Sequence, residues 1–401
     1  MTTSAAPDIL APVRSERAGW IGAIILMATS FTLVIAEFLP PSLLTPMAAS
    51  LGITEGQAGQ AVTVTAFVGF LVAPVVGILF PRLNRRTLLI WVVLAAALSN
   101  ALVAFAPDLL LLLAARLLLG AAISGFWAMS LAIVSQLVPP ERLGRGLMFV
   151  NGGTAVATVA GVPLGAYLGT VFDWRVVFGG VAVVSVLVAI LLRLALPSIA
   201  PVAVSGLREL GATLKIPGLS LGLIGHVLTV LGHFAAFTFI RLALERVHGI
   251  DAGGIAALLA AFGIGGLAGN LVGGLLVDRH LNAMRLVVPI LIGLGIATVA
   301  LFPGQFWAVA VGATLWGVGF GPWLLVVSTW IGQLAGDRKE AAGGLIVAGF
   351  QLAITLGAGI GGLLTDSAGV QVVLISAAVA TLVGGILFRV ARSVRVGHAT
   401  S

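Results

Sequence analysis

Cysteine is absent from this chain of 401 residues, and charged residues make up only 9% of it. Without cysteine the chain can form no disulfide, no thiolate metal site and no thiol nucleophile. Soluble domains carry about 25% charged residues, so this low content excludes an ordinary soluble globule. The chain also lacks a Walker-type phosphate loop. We therefore expect any work that it performs to draw on an ion gradient rather than on ATP.

Enzyme motifs are missing as well. Residues 218–222 (GLSLG) match the nucleophile-elbow pattern, but that elbow requires a preceding strand, and here it opens an apolar helical run. The glycine-rich run 357–362 (GAGIGG) also lacks the strand that a dinucleotide-binding fold places before it. We therefore predict that the chain is not an enzyme and uses neither a metal nor an organic cofactor.

Apolar residues are abundant: they form 60% of the chain, whose mean hydropathy is +1.17. Runs of about 20 apolar residues, each able to cross roughly 30 Å of hydrocarbon as a helix, recur along the whole length. Lipid cannot hydrogen-bond the backbone, so these runs must be helical unless they close a barrel, and the strict alternation of barrel strands is absent. The sequence predicts an all-α polytopic membrane protein with twelve transmembrane helices. Their predicted centres lie near residues 33, 69, 96, 122, 158, 186, 232, 265, 292, 319, 353 and 381.

The basic residues predict how the chain sits in the bilayer. The net charge of +7 could suggest nucleic acid, but most of the 21 Lys and Arg residues fall in alternate loops, which is the positive-inside pattern of a membrane protein. We therefore expect both termini to be cytoplasmic, and we expect no nucleic-acid partner. The predicted cytoplasmic basic residues are Arg14, Arg17, Arg82, Arg85, Arg86, Arg142, Arg145, Arg193, Arg208, Lys215, Arg279, Arg285, Arg338, Lys339, Arg389, Arg392 and Arg395.

The chain repeats itself at an offset near 196 residues. Residues 77–82 (GILFPR) correspond to 274–279 (GLLVDR), and Gly161 and Gly165 correspond to Gly357 and Gly361. Repeated six-helix halves are typical of transporters that rock about a site near the membrane midplane. We predict a cytoplasmic tail (1–18), a six-helix bundle (19–196), a cytoplasmic linker (197–216), a second six-helix bundle (217–392) and a short cytoplasmic tail (393–401).

Three motifs resemble those of the major facilitator superfamily: GILFPRLNRR (77–86), RLLLG (116–120) and GVPLG (161–165), the last being similar to a motif of drug:proton antiporters. The resemblance implies the facilitator fold of two pseudo-symmetric six-helix bundles. One departure stands out, because Pro81 occupies the place of an acidic residue in the first motif, while the second half keeps Asp278 there. The resemblance assigns gating or conformational roles to Gly77, Arg82, Arg86, Gly161, Pro163, Gly165, Asp278 and Arg279.

Longer stretches resemble bacterial purine ribonucleoside exporters: EFLPPSLLTPMAASLGITEGQAGQAVTVTAFV (37–68), GFWAMSLAIVSQLVPP (125–140) and GHFAAFTFIR (232–241). Sugar-efflux and chloramphenicol-resistance transporters share fewer residues of these stretches. The resemblance implies a monomeric secondary exporter of purine ribonucleosides in a bacterial inner membrane, working by proton antiport and alternating access. The alternative is export of sugars or chloramphenicol-type drugs by the same mechanism.

Ionisable residues inside the span are costly and are functional candidates by default. Glu37 lies four residues beyond the centre of the first predicted helix, and Arg116 lies six residues before the centre of the fourth. At 1.5 Å per residue both lie roughly 6–9 Å from the midplane on the same side. We predict that Glu37 is the proton site and that Arg116 tunes it, the alternative being a permanent ion pair that joins two helices.

Polar and aromatic residues of other helices are candidates for the cargo site. His226 and His233 share one face of the seventh predicted helix. His233 could carry a proton or contact substrate, whereas an interhelical hydrogen bond is favoured for His226. Arg241 is expected to snorkel to the interface. Trp127 and Trp316 could stack on a purine. Gln351 could bind substrate or join two helices.

Overall fold

The computed structural model describes residues 16–73, 75, 79–80, 82–139, 142–200, 207–335 and 338–391. Within these ranges the chain is helical and has no strand. Eleven helices in the described part are long and apolar enough to cross a membrane, which confirms the prediction of an all-α polytopic membrane protein.

Twelve long helices follow one another within the described ranges, and we number them in chain order. The first half contains α1 (Glu16–Ser42), α2 (Glu55–Val72), α3 (Arg85–Ala104), α4 (Leu109–Leu137), α5 (Leu143–Val156, a π turn at Ala157–Gly161, then Val162–Val171) and α6 (Trp174–Ala195). The second half contains α7 (Leu219–Thr238), α8 (Ala252–Val277), α9 (Arg279–Leu301), α10 (Phe306–Phe320 and Trp323–Leu334), α11 (Lys339–Ala368) and α12 (Val370–Val390). Three short helices connect them: Leu44–Leu51, Leu207–Leu214 and Ile240–Leu244.

The second helix begins earlier than its apolar run. Thr54 and Gln57 form a reciprocal capping box that starts α2 at Glu55. The first two turns of α2 are therefore polar, and α2 is not one of the eleven helices that are apolar enough to count as candidate membrane spans. The predicted centre near residue 69 therefore falls close to the described end of α2 at Val72. Hydropathy locates the apolar stretch, whereas the cap locates the helix start.

The two halves meet along two pairs of helices. α2 packs along α11, and α5 packs along α8. A large buried core in the second half takes in Ala58, Val62 and Ala66 of α2, whereas a separate core is formed by residues of the first half alone. We call the side of the bundle at which α1 ends the far face, and the side at which the chain enters α1 the near face.

Prolines lie inside α1 and at the break in α10. Pro40 and Pro41 lie in the last turn of α1. α10 breaks between Phe320 and Trp323, at Gly321–Pro322. Broken helices of this kind free backbone groups inside the membrane, where only protein or trapped water can satisfy them. The bonding of these freed groups therefore defines the candidate site.

Candidate functional site: arginines on a proline-broken helix

The segment 36–46 (AEFLPPSLLTP) contains three prolines, and each removes one backbone N–H. In a helix, the N–H of residue i+4 bonds the C=O of residue i. Pro40 and Pro41 therefore leave the carbonyls of Ala36 and Glu37 without their helical donors, and the Ser42 carbonyl has none because α1 ends at Ser42. Such groups are costly in a membrane protein unless another donor reaches them.

Arg116 of α4 reaches the first of these carbonyls. Its Nη2 donates a hydrogen bond of 2.7 Å to the Ala36 carbonyl oxygen. The side chain is fully buried, and its Cζ lies 5.9 Å from the ring centroid of Phe178. Among the described residues, its Nε and Nη1 atoms have no hydrogen-bond partner. Arg116 is thus a buried cation with two donor nitrogens to spare.

Glu37 follows directly on Ala36 and is also buried, with 8% of its surface exposed. The structure brings Glu37 and Arg116 together as predicted for depth, but the guanidinium bonds the backbone beside the carboxylate. Neither the hydrogen bonds nor the ion pairs of the described residues join the two side chains. The Arg116 guanidinium therefore bonds the Ala36 carbonyl instead of the Glu37 carboxylate, because Pro40 leaves that carbonyl without its helical donor.

Arg241 corrects the sequence interpretation. It does not snorkel, since only 7% of its surface is exposed and its Nη1 donates a 2.7 Å hydrogen bond to the Ser42 carbonyl oxygen. Its Nε pairs with Glu245 Oε1 at 2.9 Å. The Ser42 carbonyl is available for this contact because it belongs to the last residue of α1.

Two histidines of α7 each accept a hydrogen bond from a tryptophan of α10. Trp316 Nε1 donates to His233 Nδ1 at 2.9 Å, and Trp323 Nε1 donates to His226 Nδ1 at 3.2 Å. His226 Nε2 also lies 3.4 Å from the Ile346 carbonyl oxygen of α11. His226 is therefore the interhelical histidine that the sequence favours. The sequence signal that was missed is the spacing of seven residues between the two histidines of α7 and between the two tryptophans of α10. This spacing places both histidine–tryptophan pairs along the same contact between the two helices.

His233 sits in a stack of aromatic rings. The ring of Phe320 lies parallel to it with centroids 3.3 Å apart, and Phe237 stacks at 5.5 Å on a nearly parallel plane. Phe38 of α1, the residue after Glu37, contacts Phe237 edge to face at 5.2 Å. The aromatic cluster of the second half thus touches the proline-broken end of α1.

The tryptophan candidates occupy different environments. Trp316 is fully buried within the core of the second half and lies in contact with His233, so it does not line an open cavity in this structure. Trp127 of α4 is only partly buried and meets Phe126 edge to face at 5.2 Å. Trp127 is therefore partly accessible at the edge of the first-half core, whereas Trp316 holds the ring of His233 in place.

Gln351 of α11 crosses between the halves near mid-helix. Its Nε2 lies 3.4 Å from Ser124 Oγ of α4. A Cβ on Gly69 of α2 would lie 2.6 Å from that Ser124 hydroxyl, so glycine is needed there for the close approach. Three helices from both halves thus meet at one amide group, which can both donate and accept hydrogen bonds.

The loop-motif residues lie on the near face. Arg82 and Arg279 are exposed. Arg86 is half-buried, and its Nη1 donates to the carbonyl oxygen of Leu196, at the end of α6, at 3.1 Å. Gly77 lies outside the described residues, as does the side chain of Asp278. The described part therefore shows Arg86 capping a helix rather than pairing with a carboxylate.

The GVPLG motif lies against α1. The π turn Ala157–Gly161 ends with the N–H of Val162 bonding the Ala157 carbonyl. Pro163 follows it and cannot offer an N–H to Val159, which explains why the regular ladder fails here. A Cβ on Gly165 would lie 2.5 Å from Leu39 Cδ2, and one on Gly161 would meet Ile35. The motif thus brings α5 into close contact with the same helix that carries Glu37.

Comparison with known proteins agrees with this architecture. The family model of the Major Facilitator Superfamily matches residues 20–221 and again 222–400. The chain is 36% identical over 386 residues to "Transcription regulatory protein OpdE" of Pseudomonas aeruginosa, covering 93% of this chain and 94% of that protein. It is also 36% identical over 337 residues to "Purine ribonucleoside efflux pump NepI" of Salmonella typhimurium, covering 84% and 85%.

Solved structures share the fold. A bacterial homolog of the human lysosomal transporter Spinster matches in its inward-facing, unoccupied conformation with a TM-score of 0.71 at 15% identity, covering 94% of this chain and 95% of that one. The inward-facing, occupied conformation matches with a TM-score of 0.72 at 17% identity, covering 94% and 96%. The sequence, the two-bundle fold and these relatives together establish that this chain belongs to the major facilitator superfamily and is a multi-pass membrane transporter.

Proposed function

We propose that this chain is a secondary active exporter of purine ribonucleosides, such as inosine or guanosine, that works by proton antiport and alternating access. The observation that carries the proton part is the buried carboxylate of Glu37, one residue from a carbonyl held by Arg116. Intramembrane carboxylates commonly lie on proton relays. The cargo is supported by the 36% identity to a protein named as a purine ribonucleoside efflux pump.

The proposed setting is a bacterial inner membrane with both termini in the cytoplasm, which makes the far face periplasmic. The distribution of basic residues supports this orientation. On the far face, hydrogen bonds tie α1 to Arg241 and tie α2 to Asp366 of the other half. These ties support an inward-facing state, closed to the periplasm.

The proton step uses the two nitrogens of Arg116, Nε and Nη1, that have no hydrogen-bond partner among the described residues. In the outward-facing state Glu37 takes a proton from the periplasm onto a carboxylate oxygen. After the halves rock to the inward-facing state, the proton leaves for cytoplasmic water and the carboxylate is left charged. Arg116 Nε and Nη1 then attract it, which pulls on the end of α1. The energy comes from the proton gradient, with no bound cofactor.

The cargo step uses polar groups of both halves. Trp316 donates to His233 Nδ1, so that atom holds no proton and the neutral ring carries its proton on Nε2. We assign His233 to substrate contact rather than to proton transport for this reason. Gln351 would read the edge of the base, and Trp127 would stack on its face. Phe38 connects this cluster to Glu37 through Phe237.

Substitution of the carboxylate tests proton coupling. We expect Glu37→Gln to abolish the stimulation of uptake into everted vesicles by an imposed pH gradient, because an amide cannot exchange a proton. Asp108→Asn is the matched control: it also converts a carboxylate to an amide, but Asp108 is an exposed N-cap of α4, a role that asparagine fills as well. Undiminished gradient-driven uptake in Glu37→Gln would contradict the proposal.

The cargo is tested with labelled inosine, arabinose and chloramphenicol in the same vesicles. Saturable, gradient-dependent uptake of inosine is the expected result. Robust transport of chloramphenicol or arabinose without transport of inosine would replace the nucleoside by the alternative cargo and leave the antiport mechanism standing.

A further inference from the structure

The contact between Arg241 and Ser42 joins the two halves of the molecule at the far face. Arg241 belongs to the short helix Ile240–Leu244, which follows α7, and Ser42 is the last residue of α1. The short helix Leu44–Leu51, which follows α1, packs against Ile240–Leu244. The donor and the acceptor are both buried, with 7% and 0% of their surfaces exposed.

A carboxylate completes the contact. Glu245 pairs through Oε1 with Arg241 Nε at 2.9 Å and accepts through Oε2 a hydrogen bond of 2.8 Å from Thr45 Oγ1. The guanidinium of Arg241 and the carboxylate of Glu245 thus bind Ser42 and Thr45 of the first half, which lie three residues apart in the chain. We call these four residues the outer latch.

A second contact between the halves at the far face is made by an anion, the Asp366 carboxylate, instead of a cation. Asp366 of α11 accepts through Oδ1 from the backbone N–H of Gly56 at 3.0 Å and through Oδ2 from Thr54 Oγ1 at 2.7 Å. Gly56 lies in the first turn of α2, where backbone N–H groups lack intrahelical acceptors. In both contacts a charged side chain of the second half takes a backbone group that the first half leaves unpaired.

We propose that Arg241 is a gating residue, and that it closes the periplasmic side by binding the Ser42 carbonyl. That carbonyl is available because α1 ends at Ser42, and the last carbonyls of a helix have no donor within the helix. Since the carbonyl lies in one half and the guanidinium in the other, rocking the halves apart at the far face must break this bond. The latch requires neither a particular cargo nor a proton.

Accessibility of a single introduced cysteine measures the state of the latch. The chain has no cysteine of its own, so Ala48→Cys gives one reactive site without background. Ala48 lies in the short helix Leu44–Leu51, is 2% exposed and belongs to the core of the second half. A membrane-impermeant maleimide added from the periplasmic side therefore reaches the introduced thiol only when the far face opens.

In this Ala48→Cys background we expect Arg241→Gln to raise the rate of maleimide labelling at least about tenfold, because a charged donor to a buried acceptor is lost. Arg246→Gln is the matched control. Arg246 is a neighbouring arginine of the same half, and it bonds Gln371 of that half at 3.3 Å. We expect its labelling rate to stay at that of the parent protein.

Thr45→Val provides a second route that leaves Arg241 in place. It removes the hydroxyl that donates to Glu245 Oε2 across the halves, and we expect labelling to rise in the same direction. Unchanged labelling in a folded Arg241→Gln variant, or an equal rise in Arg246→Gln, would overturn the proposal; if Arg241→Gln does not fold, Thr45→Val decides alone. The assay contains no cargo and no gradient, so its outcome is separate from that of the nucleoside export experiments.

Discussion

Arg116 and Arg241 bind the same helix in the same way and differ in where they stand. Each donates a 2.7 Å hydrogen bond to a carbonyl of α1 that has no helical donor, Ala36 for one and Ser42 for the other. Arg116 belongs to the same half as its acceptor, whereas Arg241 belongs to the opposite half. In the proposed cycle the first contact can persist throughout, and the second must break.

The two arginines also differ in how their charge is matched. Glu245 pairs with Arg241 from one turn further along the chain, so the latch carries its own counter-charge. Among the described residues, the Nε and Nη1 nitrogens of Arg116 have no acceptor, and its neighbour Glu37 is the proposed proton site. The comparison shows one proline-rich segment in contact with two arginines, for which we propose different roles, coupling for Arg116 and gating for Arg241.

The largest effect is expected where the two roles separate. Arg116→Gln keeps an N–H donor for the Ala36 carbonyl but removes the charge, so we expect gradient-driven uptake to fall at least about tenfold as a charge-assisted contact is lost. The far face should stay closed, so that in the Ala48→Cys background the thiol is labelled at the parental rate. Arg241→Gln should give the converse pattern. Open labelling in Arg116→Gln would show that the two arginines share one role.

Pro40→Ala tests whether the freed carbonyl matters to coupling. The new N–H can bond the Ala36 carbonyl within α1 and so competes with Arg116. We expect the free energy of unfolding in detergent to rise by on the order of 1–3 kcal/mol, because proline is the poorest helix former, while uptake falls several-fold. A variant that is more stable and equally active would mean that Arg116 does not need this carbonyl for its function.

Glu245→Gln is expected to have the smallest effect, because the pair with Arg241 is partly exposed and such pairs contribute little. The hydrogen bond from Arg241 to Ser42 remains, so we expect labelling in the Ala48→Cys background to rise only about threefold, in line with that modest contribution. A rise as large as that of Arg241→Gln would move the main strength of the latch from the backbone carbonyl to the carboxylate.

Much of the fold could be predicted from the sequence because an apolar run that crosses a bilayer has to form a helix. Apolar runs fixed where the helices lie, and the repeat at an offset near 196 matched a family model that fits the chain twice. The predicted centre of the second helix, near residue 69, lies close to the described end of α2 because Thr54 and Gln57, not apolar residues, set where α2 begins. Capping chemistry is local and readable, but a hydropathy window averages over it.

The site was predictable in its parts and not in its connections. The prolines of α1 show from the sequence alone that two carbonyls lose their helical donors, but whether an arginine reaches them depends on how the other helices pack against α1. Arg241 was misassigned to the interface because its position near the end of α7 resembles that of a snorkelling residue. The short helix Leu44–Leu51 folds back over it, and such coverage is a tertiary property.

The π turn in α5 affects how related sequences should be aligned as well as how the helices pack. A wide turn holds one residue more than a regular helix, so it rotates everything beyond it by about 100° relative to an uninterrupted helix. Gly153 before the turn and Gly165 after it both face α1, which an unbroken helix would not allow at that separation. A related chain that lacked this one inserted residue would carry the same motif letters on a different side of the helix. Alignments across residues 157–161 should therefore be anchored on the glycines that touch α1 rather than on the count of residues.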